Sequence, residues 1–597
     1  MKNCKEKSTF TMDKFIKRCK SEIKNQIKEE IKKHKCLKKE AKKAIKKNAI
    51  IKNKLIKKSK VKRNKKKYLK EIDNFEKNTY KNKKVINKAV KNIQKCKNKE
   101  RIRIETNTPL RIATFKFKSK VKVMLFPTSN SQLATYLKYA NECKIPIHVV
   151  SGGYNIGLGS SLPPKENSAL IDLSKMNKIV EFSERMAYIT VEAGVTFGQV
   201  FKHLEENYSS LMMDSIGSSS KATVVGNAAE RGHGMGMYAD RFSNVCGFEV
   251  MLPTGKVIKT GYNAYQKDNK IAPLAKGGVG ASLDGLFTQS NLGVITKLTF
   301  WLKPKLDFFQ TFYFEIDSDD VCGIVSELWR GLRLKGLQAS LRIFNDTRLI
   351  AFNKQKPDNS TWSEYKRKEL RESLGVENKW IGFGGIYSLS EAHAEADKKI
   401  IRDYIGNLVK NLVFYDKDSL GVAKTEEEKT KVNFFYNTSV LKGYVSDAPL
   451  NMCYWRKPVE AAKKTNVHKD LCGVLWYCPI IPQTKEDTQK AINIVESVSS
   501  EYGLEPNVGF LFVSERAIDI TGAICYDRNS ENEEKSAIQC HNKIMKKFIA
   551  EGYAPYRLGI QSMDLMNNLN PDTLNFLRHL KTSIDPNNIL SKNRYII

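Results

Sequence analysis

The order of apolar and polar positions changes character at about residue 110. Apolar, β-branched runs at 121–126 and 145–150 predict buried strands on either side of 132–143, where apolar side chains recur on one helical face. Strands that alternate with helices are typical of α/β layers. Further elements of this kind are predicted at 169–172, 187–192 and 197–205.

The pattern divides the chain into four predicted regions. Residues 1–105 form a Lys-rich tail, 110–306 an α/β domain, 307–540 a mixed domain and 541–597 a C-terminal segment. A hairpin is predicted around Pro253-Thr254-Gly255. In the last two regions, strands are predicted at 473–478 and 509–513, and helices at 321–332, 488–502, 541–550 and 571–584.

Most of the positive charge lies in the tail. The 597 residues carry a net charge of +38, and residues 1–100 hold 38 Lys and Arg against 10 Asp and Glu, a net of +28. The remainder of the chain therefore carries only +10. We predict a helix-prone, partly disordered tail. It is either a solvated charged arm or an arm that binds nucleic acid or another polyanion.

The cysteines and the hydropathy pattern limit the class of protein. The 12 cysteines include no CxxC pair and no zinc-ligand spacing with His, so no metal site is expected. No apolar core of a secretory signal opens the sequence, and no run of 18 apolar residues predicts a membrane span. Scattered cysteines fit a reducing compartment, so we expect an intracellular, cytoplasmic protein, or a virion protein if the source is viral.

A glycine-rich loop follows the predicted strand 145–150. Its sequence, SGGYNIGLGSS at 151–161, lets the backbone approach a ligand closely, and amides free in such a turn form a nest for an anion such as a pyrophosphate. The alternative is an ordinary surface loop. No GK[ST] motif follows, and Leu162-Pro163-Pro164 prevents a helix from starting there, which argues against a nicotinamide site.

The segment 150–204 resembles the FAD-binding half of the vanillyl-alcohol oxidase and para-cresol methylhydroxylase family. In that family a Ser-Gly-Gly-x-Asn-x-Gly loop wraps the pyrophosphate, as 151–157 would here. The resemblance extends over about 110–597. It is supported by ALIDLSKMN at 169–177, VEAGVT at 191–196, GNAAERG at 226–232, GLFTQSNLGVIT at 285–296, Tyr556-Arg557 and IDPNNIL at 584–590.

The resemblance implies an α+β fold. A two-subdomain FAD-binding domain (110–306) would lie under a cap domain (307–540), and 541–597 would return to the FAD domain. A substrate pocket between domains would follow. The residues expected to hold FAD, chiefly through backbone amides of the loop, are Ser151, Gly152, Gly153, Tyr154, Asn155, Gly157, Thr223, Gly226, Asn227 and Val294.

The resemblance also implies a substrate clamp. Related enzymes hold a phenolate with two tyrosines and an arginine, whose fixed charged fork suits that task. Tyr556 and Arg557 match one tyrosine and the arginine, but Leu158 stands where the family has the second tyrosine. A Tyr-Arg pair alone could equally hold a carboxylate or another acidic group, and Arg557 could instead be a structural ion-pair partner.

Two further family features are less clear in this sequence. The family places an Asp near flavin N5, and a gapless match puts Ser218 there. Asp214 fits with an insertion, and Asp240 is a second candidate. Many members also attach the flavin covalently, but no His lies between His468 and His541 and Tyr526 is a remote option, so we predict noncovalent FAD.

Two of the eight histidines lie close to these motifs in the sequence. His148 is predicted in the core, and His233 is either a loop residue or a border of the active site.

The leading hypothesis is an FAD-dependent oxidoreductase that takes a hydride from a small alcohol or a 4-alkylphenol-like substrate. The alternative is a catalytically degenerate flavin-binding protein, which the Leu158 departure favours. The partners we consider are a small-molecule substrate, oxygen or an electron-acceptor protein, a polyanion on the tail, and a second copy in a homodimer.

Overall fold

The chain consists of two compact units, Met1–Arg103 and Ile104–Ile597. The computed structural model describes residues 2–59, 102–104, 112–121, 123–159, 161–265, 269–357, 362–458 and 466–596. The first unit contains helix α1 (Lys2–Ser59), and strand β1 (Ile102–Ile104) stands where the chain passes into the second unit. Across the described ranges, no helix combines the length and apolar character needed to cross a bilayer.

The glycine-rich loop starts at the end of a small parallel sheet. Its strands β2 (Val123–Leu125), β3 (Ile147–Val150) and β4 (Ala169–Asp172) lie in the order β2-β4-β3, and helix α2 (Asn130–Cys143) connects β2 to β3. Every residue of β4 is buried, as expected for the central strand of a covered parallel sheet. The carboxyl end of β3 therefore delivers the loop to the sheet edge where ligands usually bind.

An antiparallel sheet forms the second part of this half of the unit. Its strand order is β5-β6-β10-β8-β9, and β7 pairs separately with β11. The predicted hairpin is confirmed as β8 paired with β9. The strands and helices here are β5 (Ile179–Ser183), β6 (Tyr188–Glu192), α3 (Phe197–Glu206), β7 (Leu211–Met212), α4 (Val224–Ala229), β8 (Val245–Met251), β9 (Val257–Lys259), α5 (Asp284–Phe287), β10 (Val294–Trp301) and β11 (Lys303–Pro304).

A seven-stranded sheet dominates the next region, with the order β15-β12-β14-β13-β18-β19-β17, while β16 pairs with β20. Long helices pack against it and enclose buried rings such as Trp329 and Trp380. The elements are β12 (Phe308–Ile316), α6 (Asp319–Leu334), β13 (Arg342–Asn345), α7 (Asp346–Asn353), α8 (Glu364–Glu372), β14 (Trp380–Ser388), α9 (Glu391–Ile405), β15 (Lys410–Tyr415), α10 (Ser419–Val422), α11 (Glu426–Val432), β16 (Cys472–Tyr477), β17 (Ile480–Pro482), α12 (Lys485–Glu501), β18 (Gly509–Leu511), β19 (Ala517–Ile520) and β20 (Gly522–Asp527).

The last residues return to the parallel sheet. Two helices, α13 (Glu531–Ala550) and α14 (Pro571–Ile584), precede these residues. Beyond α14 the chain pairs with β3: the Ile147 amide donates to the Ile589 carbonyl at 2.6 Å, and the Ser591 amide donates to the Ile147 carbonyl at 2.6 Å. The Asn291 side-chain amide donates to the carbonyls of Ser591 and Ile596 at 3.2 and 3.0 Å. The C-terminal residues thus cover the open edge of β3, directly before the glycine-rich loop.

Candidate active site

The glycine-rich loop packs against the start of α4. The hydroxyl oxygens of Ser151 and Thr223 lie 2.6 Å apart, and Thr223 caps α4 by accepting from the Gly226 amide at 3.3 Å. A β-carbon on Gly226 would lie 2.3 Å from Ser151 Oγ, so only glycine allows this approach. Loop and helix start therefore meet in a shallow cradle of glycines and hydroxyls, a shape suited to an anion.

The loop amides differ in whether they are already engaged. Within the described part of the chain, the amides of Gly152, Gly153, Tyr154 and Asn155 donate to no backbone carbonyl, and Asn155 Nδ2 has no partner. The Gly157 amide instead donates to Thr114 Oγ1 at 3.0 Å. This corrects the predicted role of Gly157, because its amide is occupied within the protein.

A cavity of about 1450 Å³ begins at this cradle and continues between the antiparallel sheets. Gly152 and Gly157 are not among its lining residues; they pack against neighbouring parts of the protein. His148 and Leu158 also line it. The predicted residues on its described lining are Ser151, Gly153, Tyr154, Asn155, Thr223, Gly226, Asn227, Val294, Tyr556 and Arg557.

Tyr556 lies stacked on His233 in this cavity. The ring centroids are 4.7 Å apart with an interplanar angle of 9°, and His233 Nδ1 lies 2.7 Å from Asp519 Oδ2 of β19. Burial raises the pKa of Tyr556 well above its usual value, so the phenol stays protonated and can donate. His233 itself is among the residues that line the cavity.

Arg557 joins the loop to the C-terminal residues. Its Nη2 donates to Asn155 Oδ1 at 2.8 Å. Glu230 accepts from Arg594 at 2.8 Å and from the Tyr595 hydroxyl at 2.6 Å. Burial opposes the charge on Glu230, but Arg594 and Arg557 outweigh it and lower the pKa of that carboxyl. Arg557 Nε has no partner among the described residues, so the arginine retains a donor for a ligand.

Asp214 is held away from the cavity. Its carboxylate accepts from the Met235 amide at 2.9 Å and from the Gly236 amide at 2.9 and 3.1 Å. Met235 and Ser218 line the cavity, but Asp214 does not. Asp240, the second candidate, also lies off the lining and accepts from the Ser243 amide at 3.2 Å. Asp214 therefore fixes the shape of a lining loop and does not itself face the cavity.

Tyr526, considered for covalent attachment, lies elsewhere. Its hydroxyl donates to Glu534 Oε1 at 3.3 Å, and the residue is outside the described lining.

Among the lining residues of 307–540 that sequence reasoning missed are Arg342, Arg348 and Trp476. Both arginines are buried, at 3% and 7% exposure. The sequence does contain one sign of this site, the arginine inside the apolar run around Leu341–Ile343, since arginine is seldom buried without a reason.

Comparisons with known proteins agree with the site. A family described as an FAD binding domain matches residues 121–261. The 1'-carboxy-chondrochloren decarboxylase of Chondromyces crocatus is 32% identical over 502 residues, 81% of this chain and 92% of that protein. The 4-cresol dehydrogenase [hydroxylating] flavoprotein subunit of Pseudomonas putida is 30% identical over 479 residues, 78% of this chain and 86% of that protein.

The fold has a close counterpart among solved structures. The crystal structure of p-cresol methylhydroxylase with substrate bound superposes with a TM-score of 0.74 at 26% identity, over 83% of this chain and 94% of that chain. The predicted fold class is confirmed, and the glycine cradle with its unengaged amides fits the FAD that the family binds. The chain belongs to the FAD-linked oxidoreductases of the vanillyl-alcohol oxidase and para-cresol methylhydroxylase family.

Proposed function

We propose that this oxidoreductase takes a hydride from a small alcohol or a 4-alkylphenol-like substrate bound beside Tyr556 and Arg557. FAD, when bound, supplies the hydride acceptor. Arg557 and the protonated Tyr556 would donate to the substrate oxygen once its proton has passed to water; the negative charge held there favours loss of the hydride, which turns the oxygen into a neutral C=O oxygen. The observation that carries the proposal is the Tyr556–His233 stack in the cavity that starts at the glycine cradle.

The proposal assigns separate tasks to the two ends of the cavity. Amides of Gly153, Tyr154 and Asn155, with Thr223 and Gly226, would hold the FAD diphosphate without a covalent bond, and Asn227 and Val294 would lie along the cofactor. Asp214 is a positioning residue, since its carboxylate acts on the amides of Met235 and Gly236. Reduced cofactor would be reoxidised by oxygen or by an electron-acceptor protein.

The relatives widen the set of reactions. One is named for 4-cresol and the other for a decarboxylation, so the reaction type varies among similar chains. Leu158 at the cavity removes one hydroxyl that a phenol clamp would use. A protein that binds FAD but no longer turns over is therefore the second candidate, and the Asp214 geometry favours it, because no Asp faces the cavity at that position among the described residues.

Anaerobic reduction of the purified protein tests both candidates. The absorption spectrum should contain oxidised-flavin bands, and these should bleach with an alcohol or a 4-alkylphenol. Dithionite serves as the control that the bound flavin can be reduced. A flavin that dithionite bleaches but no alcohol, phenol or hydroxy acid does would support the degenerate protein. Protein that takes up no FAD would contradict the proposal entirely.

A further inference from the structure

Two buried arginines of residues 307–540 line the cavity. Arg342 lies on β13 and Arg348 on α7, at 3% and 7% exposure, and both residues line the cavity. A buried charge is costly unless a partner of opposite charge compensates it. Their partners therefore indicate whether the protein itself supplies that compensation.

Arg348 is held entirely by neutral groups. Its Nε donates to Asn507 Oδ1 at 2.8 Å, its Nη1 donates to Thr521 Oγ1 at 3.1 Å, and its Nη2 donates to the Thr521 carbonyl. No carboxylate among the described residues forms an ion pair with it. The groups that act electrostatically on it are Tyr477, Cys525 and Cys478, all uncharged at neutral pH, and burial lowers the pKa of Arg348 to about 10.

Other buried arginines of the same region show the contrast. Arg367 and Arg371 pair with Asp346 at 2.7 and 3.0 Å, and Arg456 pairs with Glu505 at 2.8 Å. None of these three belongs to the cavity lining. Arg348, by contrast, lines the cavity and forms no ion pair with a carboxylate of the described residues.

The guanidinium of Arg348 is fixed in place. A β-carbon on Gly509 would lie 1.9 Å from Nη1, so glycine makes the room that the group occupies. The Trp476 ring, 5.8 Å from Cζ, covers it from another side. A planar fork held rigidly and left with unused N–H donors suits a carboxylate, which it can bind through two parallel hydrogen bonds.

Arg342 lies on the same side of the cavity, and unlike Arg348 it has carboxylates, Asp214 and Asp519, that act on its charge. Its Nη2 donates to the Gly234 carbonyl at 2.9 Å, while Nε has no partner among the described residues. Cys478 connects this region to the clamp, since the Tyr556 amide donates to the Cys478 carbonyl at 3.0 Å and Cys478 itself lines the cavity. Tyr556 acts electrostatically on Arg342, and Cys478 acts on Arg348, so the two arginines lie near the Tyr556 end of the cavity.

We propose that the substrate carries a carboxylate and that Arg348, assisted by Arg342, binds it in the cavity beside Tyr556 and Arg557. The inference rests on the proposed function, because it deepens the substrate class of that same site. The other source of an anion is the FAD diphosphate, for which the glycine cradle already provides unengaged amides.

Ligand binding to the full-length, FAD-loaded protein tests this without turnover. The oxidised flavin spectrum is titrated anaerobically with 3-(4-hydroxyphenyl)propionate, its methyl ester and 4-propylphenol. We expect the acid to bind roughly ten- to a hundredfold more tightly than the ester, the usual effect of a charge-assisted pair. Equal affinity of the acid and the ester in the unmutated protein would overturn the proposal.

Variants locate the effect. Arg348→Gln should remove the preference for the acid, Arg348→Lys should retain part of it, and Arg342→Gln should weaken it less. Arg330→Gln is the matched control, because Arg330 pairs with Glu327 on a half-exposed helix face. An unchanged preference in R348Q would contradict the assignment, as would R348Q that folds but loses FAD, which would assign Arg348 to the cofactor. If R348Q does not fold, the acid–ester comparison in the unmutated protein and the R348K variant still test the proposal.

The two proposals fail in different ways. If phenols or alcohols bleach the flavin but acid and ester bind alike, the carboxylate subsite is wrong and the oxidoreductase proposal stands. If nothing bleaches the flavin but the acid is preferred through Arg348, the hydride transfer is wrong and the carboxylate subsite stands.

Discussion

Trp476 lies so close to Gly157 that a β-carbon added to the glycine would stand 2.0 Å from the indole Cδ1. The Trp476 amide also donates to the Gly157 carbonyl at 3.1 Å. Gly157 has a φ of +76°, in the region that favours glycine. The glycine-rich loop and strand β16 are therefore in direct contact, and this contact determines where the loop can lie.

Gly157→Ala should damage both folding and cofactor binding. The added methyl group must displace the Trp476 ring, and the alanine must adopt a left-handed backbone conformation. Together these effects should lower the free energy of unfolding by about 1–3 kcal/mol. We expect a lower melting temperature and less bound FAD per chain. Gly331→Ala is the control, because nothing lies within 4 Å of its added β-carbon. A G157A protein with full FAD content would contradict the packing role.

Thr223→Val should weaken FAD retention. The substitution keeps the shape of the side chain but removes the hydroxyl that caps α4 and contacts Ser151, so about 1 kcal/mol of stability should be lost. Thr223→Ser, which keeps the hydroxyl, should behave as the unmutated protein. The dissociation constant of FAD from the apoprotein measures the difference. Equal constants for T223V and T223S would show that the hydroxyl has no part in binding.

The ion pairs of Glu230 should make stability depend on pH. Its pKa in the folded protein lies below the ordinary 4.5, so its contribution is complete above that value and is lost as pH falls through the folded pKa. The difference in melting temperature between unmutated protein and Glu230→Gln should be largest near pH 7 and shrink below pH 4.5. Glu426→Gln, on the exposed α11, is the comparison. A difference that stays constant with pH would contradict this.

Asp214→Asn tests the positioning role. The substitution replaces one carboxylate oxygen, an acceptor, with an NH2 group, a donor. The hydrogen bonds from the Met235 and Gly236 amides should then be only partly kept, and stability should fall by about 1–3 kcal/mol. The pH profile of flavin reduction should keep its shape, because the carboxylate does not face the cavity. Loss of an acid or base limb from that profile would instead make Asp214 a catalytic group.

Deletion of residues 2–103 tests the tail. FAD content should stay unchanged, whereas any binding to duplex DNA or heparin should disappear. In the full chain, that binding should fall linearly on a log–log plot against salt. Binding that survives the deletion would dismiss the tail as the polyanion site.

Elements whose sequence signal is local could be predicted from the sequence. Strand β4 and helix α14 match the predicted 169–172 and 571–584, since a compact apolar run and a proline-started amphipathic helix need no distant partner. Helix α13 begins at Glu531 instead of 541, because its first turns carry acidic residues after the Ser530 cap and not an apolar stripe.

The seven-stranded sheet was harder to foresee. Strand β12 is buried on both faces, so it has no alternation of period two. Strand β14 contains Gly382 and Gly384, which usually weaken a strand, yet here they make room for the rings of Phe314 and Phe312 on β12. That reason exists only after the two strands pair.

The site divides in the same way. The loop glycines of the cradle stand together at 151–157 and form a local pattern, whereas Thr223, 72 positions beyond Ser151, and Gly226 were named through the family resemblance. Arg348 depends on Asn507 and Thr521, which are more than 150 positions away, so no local pattern could reveal it.

The pairing of Ile147 with Ile589 and Ser591 has a consequence for biosynthesis. The edge of the cofactor sheet is completed by residues that a ribosome makes more than 400 positions after β3. While it is being synthesised, the chain contains the cradle but not the C-terminal residues beside it. Tight binding of the flavin must therefore await near-complete translation, and nascent chains stalled before residue 589 should bind it weakly.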